Sequence, residues 1–297
     1  HKEYRRQRQM CIRDRTNMFA YTMSFGNGFT ATVAAEDGAS QARDGVLTTN
    51  GTSITAATSF LAYAGANLPD FVGNLMVDQA WGKIVASGAV HQITYSTRQF
   101  STDYGYAGQL AAKINLPMLA SGDYLFLSGV YTNGASGYSL RNVAGDRASR
   151  DITGTTGTGT GYGGSFGVGQ VGVTMNDVVV NTTSGATEKA TVYGASAEFG
   201  HQFTPTVLAY VGGSYTKLDW SATAQSWDNG TQKSIQPASI YRLELGAQWT
   251  PVKGFSVWPE VSYSKVNAKS AVSTISTEPA KKSADAYTGR IRITRSF

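Results

Sequence analysis

The chain has 297 residues, 15% of them charged, with 34 glycines, one cysteine and a formal net charge of +5. No run of 18 apolar residues occurs, which excludes a membrane-spanning helix, and one cysteine excludes a disulfide framework or a thiolate metal site. The charge is local: six of the 25 Lys and Arg and two of the 20 Asp and Glu lie in residues 1–15, leaving 19 basic against 18 acidic groups over the other 282, so the basic balance gives no ground for nucleic acid as a partner.

Residues 1–15, HKEYRRQRQMCIRDR, differ in composition from the rest of the chain and resemble a translated sequencing adapter. They are expected to be non-native, with a partial β domain over 16–297. From Met18 the pattern has period two. In MFAYTMSF (18–25), Phe19, Tyr21, Met23 and Phe25 share one face and Ala20, Thr22 and Ser24 the other. The GNG at 26–28 is a hairpin signal, after which Phe29, Ala31, Val33 and Ala35 alternate again. Further strands are predicted at 71–82, 83–98, 106–116, 123–133, 188–203, 206–220, 238–250, 255–267 and 284–297, about eleven in all. The faces of 83–98, 123–133 and 206–220 stay unassigned, because both parities carry apolar side chains.

The links decide between architectures. Tight turns are predicted at 26–28, 82–83, 117–122, 204–205 and 251–254; long polar links are predicted at 37–70, 99–105, 134–187, 221–237 and 268–283. Short and long alternate strictly. A soluble sandwich has no reason to place every long loop at one end, whereas an up-and-down barrel in an outer membrane does. The expected fold is all-β, an antiparallel up-and-down transmembrane β-barrel. In 238–250, Tyr241, Leu243, Leu245, Ala247 and Trp249 fall on one face, opposite Arg242, Glu244, Gly246 and Gln248. By the same parity the candidate lumen-lining charges are Lys113, Arg242, Arg290 and Arg292 with Asp78, Glu198, Glu244 and Glu260. Such charges are ordinary against water and costly in a dry core. Aromatics near strand ends, Trp81, Tyr95, Trp249, Tyr263 and Phe297 foremost, with Tyr106, Tyr131, Trp220 and Tyr241, are candidates for interfacial girdles.

Three segments invite other chemistry. The glycine-rich stretch at 154–172 lacks the Gly-Lys-Ser/Thr ending of a phosphate loop and is expected to be a loop, with 171–181 a candidate extra strand inside it. His91 and His201 stand alone, without metal-ligand spacing. No catalytic residue, metal or cofactor is predicted, and the chain is not expected to be an enzyme.

YTMSFGNGFTATVAAEDG, PDFVGNLMVDQAWG, INLPMLASGDYLFL and the terminal GRIRITRSF, in that order along 16–297, resemble alphaproteobacterial outer-membrane porins. The resemblance implies a sixteen-stranded barrel, assembled as a homotrimer, that lets small hydrophilic solutes and ions diffuse passively across the bacterial outer membrane. About eleven of the sixteen strands are then present, and the expectation is an N-terminally truncated fragment whose constriction loop, after strand five, lay before Thr16. The implied partners are outer-membrane lipid and lipopolysaccharide, two further copies of the chain, and the barrel-assembly machinery, which would read the C-terminal strand ending on Phe297. Arg290 and Arg292 are the candidate basic wall of the channel. The alternative is a barrel acting through its long loops as adhesin or receptor; a secreted soluble β protein is a third reading.

Overall fold

The computed structural model describes residues 17–37, 46–51, 67–95, 100–140, 176–227, 235–272 and 281–296. Among them, eleven strands form one antiparallel sheet: β1 (Met18–Gly26), β2 (Phe29–Glu36), β4 (Asp70–Gln79), β5 (Gly82–Ile93), β6 (Asp103–Asn115), β7 (Tyr124–Asn133), β10 (Thr191–Thr204), β11 (Val207–Asp219), β12 (Ala238–Val252), β13 (Phe255–Val272) and β14 (Lys281–Arg295). Their order in the sheet is their order in the chain. Three short strands, β3 (Val46–Thr49), β8 (Val178–Asn181) and β9 (Thr187–Lys189), make a separate sheet.

The turns behave as their sequences require. Asn27 and Gly28, between β1 and β2, both have positive φ, 48° and 75°, as a type I′ hairpin demands. A side chain at Gly28 would also start 1.9 Å from the Asp78 carbonyl on β4, which accepts no such approach. Tight turns join β1 to β2, β4 to β5, β6 to β7, β10 to β11 and β12 to β13; the long links lie at the opposite end. The predicted link at 268–283 is shorter than expected. Pairing resumes, after a register shift beyond Asn267, at Val272 opposite Lys281; an established ladder extends into polar residues that have no strand pattern of their own.

Register fixes the two faces. Phe71, Leu75, Ile84, Leu110, Leu127, Val211, Leu243, Leu245, Val261 and Ile291 all lie on one face and are exposed. Such a continuous apolar surface is far larger than the patches soluble monomers expose. Tyr106, Tyr131, Tyr193, Tyr215, Tyr241, Tyr263 and Tyr287 cross the same face toward the long-loop end, with ring pairs Tyr106–Tyr131, Tyr215–Tyr241 and Tyr263–Tyr287 at 6.4, 5.1 and 5.0 Å. Amphipathic rings in a belt bordering an apolar band are the mark of a membrane interface.

The other face curls around the small sheet. β3 and β8 pair in parallel. Val46, Val178 and Val180 pack against Ile93 of β5, whereas Leu47 and Val179 pack against Val192, Leu218, Ile240 and Val266 of β10 to β13. A two-stranded layer that touches β5 with one face and β10 to β13 with the other must span the concavity between them. Parallel strands buried on both faces read as continuous apolar runs, and VVVN and VLTT fit. Among the described residues the large sheet remains open: β1 and β14 each pair with one neighbour.

Candidate functional site

The inner face carries a charged belt, and the ladder sets its order. Adjacent residues across successive strands run Glu244, Gly212, Glu198, Phe126, Lys113, Lys83, Asp78 from β12 to β4. The neighbouring row runs Arg290, Glu260, Gly246, Tyr210, Gly200, Tyr124 from β14 to β7. Arg292 is two residues beyond Arg290 on the same face and pairs across the ladder with Trp258. The eight charges singled out by parity thus share one face, opposite the exposed apolar side chains.

These groups form a network. Arg290 donates from one terminal nitrogen to both Glu260 carboxylate oxygens, at 2.7 and 2.8 Å. Arg242 reaches Glu260 at 3.4 Å and Glu244 at 3.2 Å. Tyr210 donates its hydroxyl to Glu260 at 2.8 Å, Tyr124 donates to Glu198, and the Lys113 ammonium sits 4.9 Å from the Tyr124 ring centre. Lys83 pairs with Asp78 at 2.7 Å. Charge-assisted bonds of this kind fix geometry as well as adding energy.

Two glycines make the network possible. A Cβ on Gly246 would lie 2.3 Å from the Tyr210 ring, and one on Gly200 would lie 2.2 Å from the Tyr124 ring. Each tyrosine therefore lies flat across the glycine it pairs with. Tyr210 crosses β12 in this way to reach Glu260 on β13. With Leu208 and the half-buried Phe126, the two rings form a small interior cluster.

Sequence parity did not reach Lys83, Tyr124 or Tyr210. Lys83 was legible in principle, since the two-residue turn at 80–81 places it opposite Asp78. The tyrosines were not, because interior and exterior positions of β7 and β11 are both apolar. Arg290, a candidate for the basic wall, pairs with Glu260 on the inner face. Of the candidate girdle aromatics, Trp81 is exposed in the turn between β4 and β5, Trp249 is exposed on the outer face and Tyr263 joins the tyrosine belt. Tyr95 packs against the interior Val46–Ile93 cluster, 5.6 Å from Phe100, and Trp220 is buried under the long-loop end with Leu47 and Val179. Aromatics at strand ends look alike in sequence whichever face they take. Phe297 lies outside the described residues.

A second polar cluster, buried except for the half-buried Tyr138, lies where the small sheet meets the wall. His91 Nδ1 lies 2.7 Å from Asp70 Oδ1, and its Nε2 lies 3.9 Å from Asp177 Oδ2. The Tyr138 hydroxyl donates to Asp70 Oδ2 at 2.7 Å. The Ser136 N–H and hydroxyl both donate to Asp177 Oδ1, at 2.5 and 2.8 Å. At the short-turn end, Asp123 accepts from the Gln202 N–H at 2.8 Å and lies 2.8 Å from His201 Nδ1. Burial opposes ionisation of Asp123, but the Gln202 N–H and then His201 outweigh it and hold the carboxyl below its usual range. Among the described residues no group of three or more His, Cys, Asp or Glu could hold a metal ion.

Known proteins share this architecture. A family model described as the porin subfamily matches residues 8–290. The fold is similar to the outer-membrane channel DcaP of Acinetobacter baumannii, at 12% identity and TM-score 0.53, over 95% of this chain and 62% of that one. Weaker likenesses are to a loop L8 deletion mutant of the Vibrio cholerae outer-membrane protein OmpT (6%, TM-score 0.45, 93% and 62%) and to LpxR from Salmonella typhimurium (10%, TM-score 0.29, 94% and 88%). The chain spans 62% of the length of the first two. No curated protein sequence matched significantly.

Proposed function

The chain belongs to the porin subfamily of the bacterial outer membrane, and on that premise we propose that it lines a water-filled channel through which small hydrophilic solutes and ions diffuse passively. The observation that carries this reading is one sheet with two opposite solvents written on it. Its outer face is apolar and belted with tyrosine, while its inner face holds Asp78, Lys83, Lys113, Glu198, Arg242, Glu244, Glu260, Arg290 and Arg292. A lumen of this kind filters by size and field. With lysines on β5 and β6, carboxylates on β10, β12 and β13, and guanidiniums on β12 and β14, opposite signs alternate around the wall, which favours low specificity over strong ion preference.

Closure of the sheet needs strands on the free sides of β1 and β14, since unpaired backbone groups in lipid cost several kcal/mol each. We propose strands preceding residue 16 as those partners, in an alphaproteobacterial protein of which this chain is part. Homotrimer assembly and recognition of β14 by the barrel-assembly machinery follow from the same resemblance; chemical cross-linking in native membranes tests the trimer.

Planar-bilayer recording tests the channel. The expected result is discrete ion-conducting steps of near-equal cation and anion permeability. A folded, inserted protein that passes no current overturns the reading, and favours loop-mediated binding instead.

A further inference from the structure

We propose that His201, held in place by Asp123, binds the phosphate of a glycerophospholipid in the membrane leaflet at the short-turn end. The inference rests on the outer-membrane location of the sheet and not on the channel reading.

The outer face has a border at its short-turn end as well as the tyrosine belt at the other. Phe29, Phe203 and Trp249 stand there, all exposed. Aromatics at this end of an apolar band mark the periplasmic interface, where the phospholipid headgroups begin. Between the tyrosine belt and this border, the outward strand positions among the described residues carry a single Asp, Glu, His, Lys or Arg, namely His201. Ionisable side chains facing lipid are costly and rare, and those that persist have partners.

One partner of His201 lies within the protein. Its Nδ1 is 2.8 Å from Asp123 Oδ2, while Asp123 Oδ1 accepts from the Gln202 N–H at 2.8 Å. The Asp123 side chain is wholly buried, whereas that of His201 is 36% exposed. A carboxylate only accepts, so Nδ1 is the donor and Nε2 lies at the edge of the ring away from Asp123. Phe203 meets the ring edge-on, with centroids 4.5 Å apart, and β11 places the small Ala209 opposite His201 across the ladder. Among these neighbours Asp123 is the one charge facing the imidazole. A proton at Nε2 makes the ring an imidazolium, which the carboxylate stabilises; a phosphate at Nε2 then completes a row of alternating charge. The surroundings select a lipid over a free anion. Met118 and Leu119, in the turn that leads into Asp123, and Phe203 are exposed large side chains. A charge-assisted donor at the margin of an apolar surface fits an amphiphile, with its phosphate at Nε2 and its glycerol and acyl chains against these residues.

The test is native mass spectrometry of the full chain released from nanodiscs that hold equal parts of phosphatidylglycerol and a glucosyl diacylglycerol, which has no phosphate. The wild type is expected to retain the phospholipid in preference to the glycolipid. His201→Phe is expected to lower that retention about tenfold, the loss of one hydrogen bond to a charged group. Ala209→Leu leaves the pair of His201 and Asp123 intact and crowds the ring, and is expected to lower retention as well. Asp123 acts through the ring, so Asp123→Asn is expected to move the pH at which lipid is released downward, an effect that a merely structural carboxylate would not have. Excess inorganic phosphate is expected to leave the lipid in place. Unchanged retention in folded His201→Phe and Ala209→Leu, equal retention of the glycolipid, or displacement by inorganic phosphate overturns the inference. The channel reading fails separately, on absence of current in a protein that still retains its lipid.

Discussion

Tyr210 shows how a single side chain depends on a residue that has none. Its hydroxyl reaches Glu260 only because Gly246 leaves the ring room to lie across β12. Gly246→Ala is expected to destabilise the protein by about 2 kcal/mol, through crowding and the lost bond to a charged acceptor. In Tyr210→Phe the same glycine change should cost less, because the bond is already gone; unfolding in detergent of the two single variants and the double variant measures the coupling. Just before β7, at the short-turn end, Asp123 provides a pH dependence. Its carboxyl lies below the ordinary range, so it contributes stability above the unfolded carboxylate value of about 3.9, lost as pH falls through the lower folded value. Asp123→Asn should remove that acid limb from the melting profile and leave the profile near neutral pH flat. The Glu260 site was half-visible in sequence, and Asp123 was not singled out there. Parity placed Glu260 and Glu198, but not the tyrosines that satisfy them, because a ring lying over glycine leaves no trace in hydropathy.

At the scale of elements, the strands of the large sheet were legible, and of the small sheet only β8 was. Each wall strand has one face in each environment, so its side chains alternate. β3 has both faces in the same dry environment, and four buried residues offer no period to detect. β8 was anticipated as an extra strand within 171–181, but not its parallel partner 132 positions away, Val178 opposite Val46. The same double burial makes β8 sensitive. Val179→Ala is expected to cost about 2 kcal/mol, and the loss should be local: amide exchange should quicken at 46–49 and 178–181 while β12 and β13 keep their protection. A uniform loss of protection across the wall would show that the inner sheet is not a separate unit.

For the whole molecule, the two faces make opposite demands on the same substitution. Leu245 sits mid-strand on the outer face, and Ser87 sits mid-strand on the inner one. Leu245→Lys is expected to cost about 2–4 kcal/mol in lipid, and Ser87→Lys less than about 1 kcal/mol. Folding titrations in bilayers would separate the two, and equal penalties would contradict the assignment of faces. That assignment was legible because alternation persists over most of the chain. The three segments whose faces stayed open in sequence were resolved only by register, which transmits the parity of unambiguous strands to their neighbours one ladder at a time.

The separation between β3 and β8 also dictates an order of events. Five of the wall pairings are hairpins closed by short turns; the inner pair joins residues 132 apart, and Thr49 reaches Trp227 across 178. Closing such loops costs more entropy and waits for both surrounding surfaces. Assembly should therefore pass through a stage in which the hairpins are complete and the interior is still hollow. Pulsed thiol labelling at Val179→Cys during refolding is expected to find that position reactive after the wall strands are protected, and to see it close last. The concave face is then emptiest before the molecule is finished, and the last step of folding fills it.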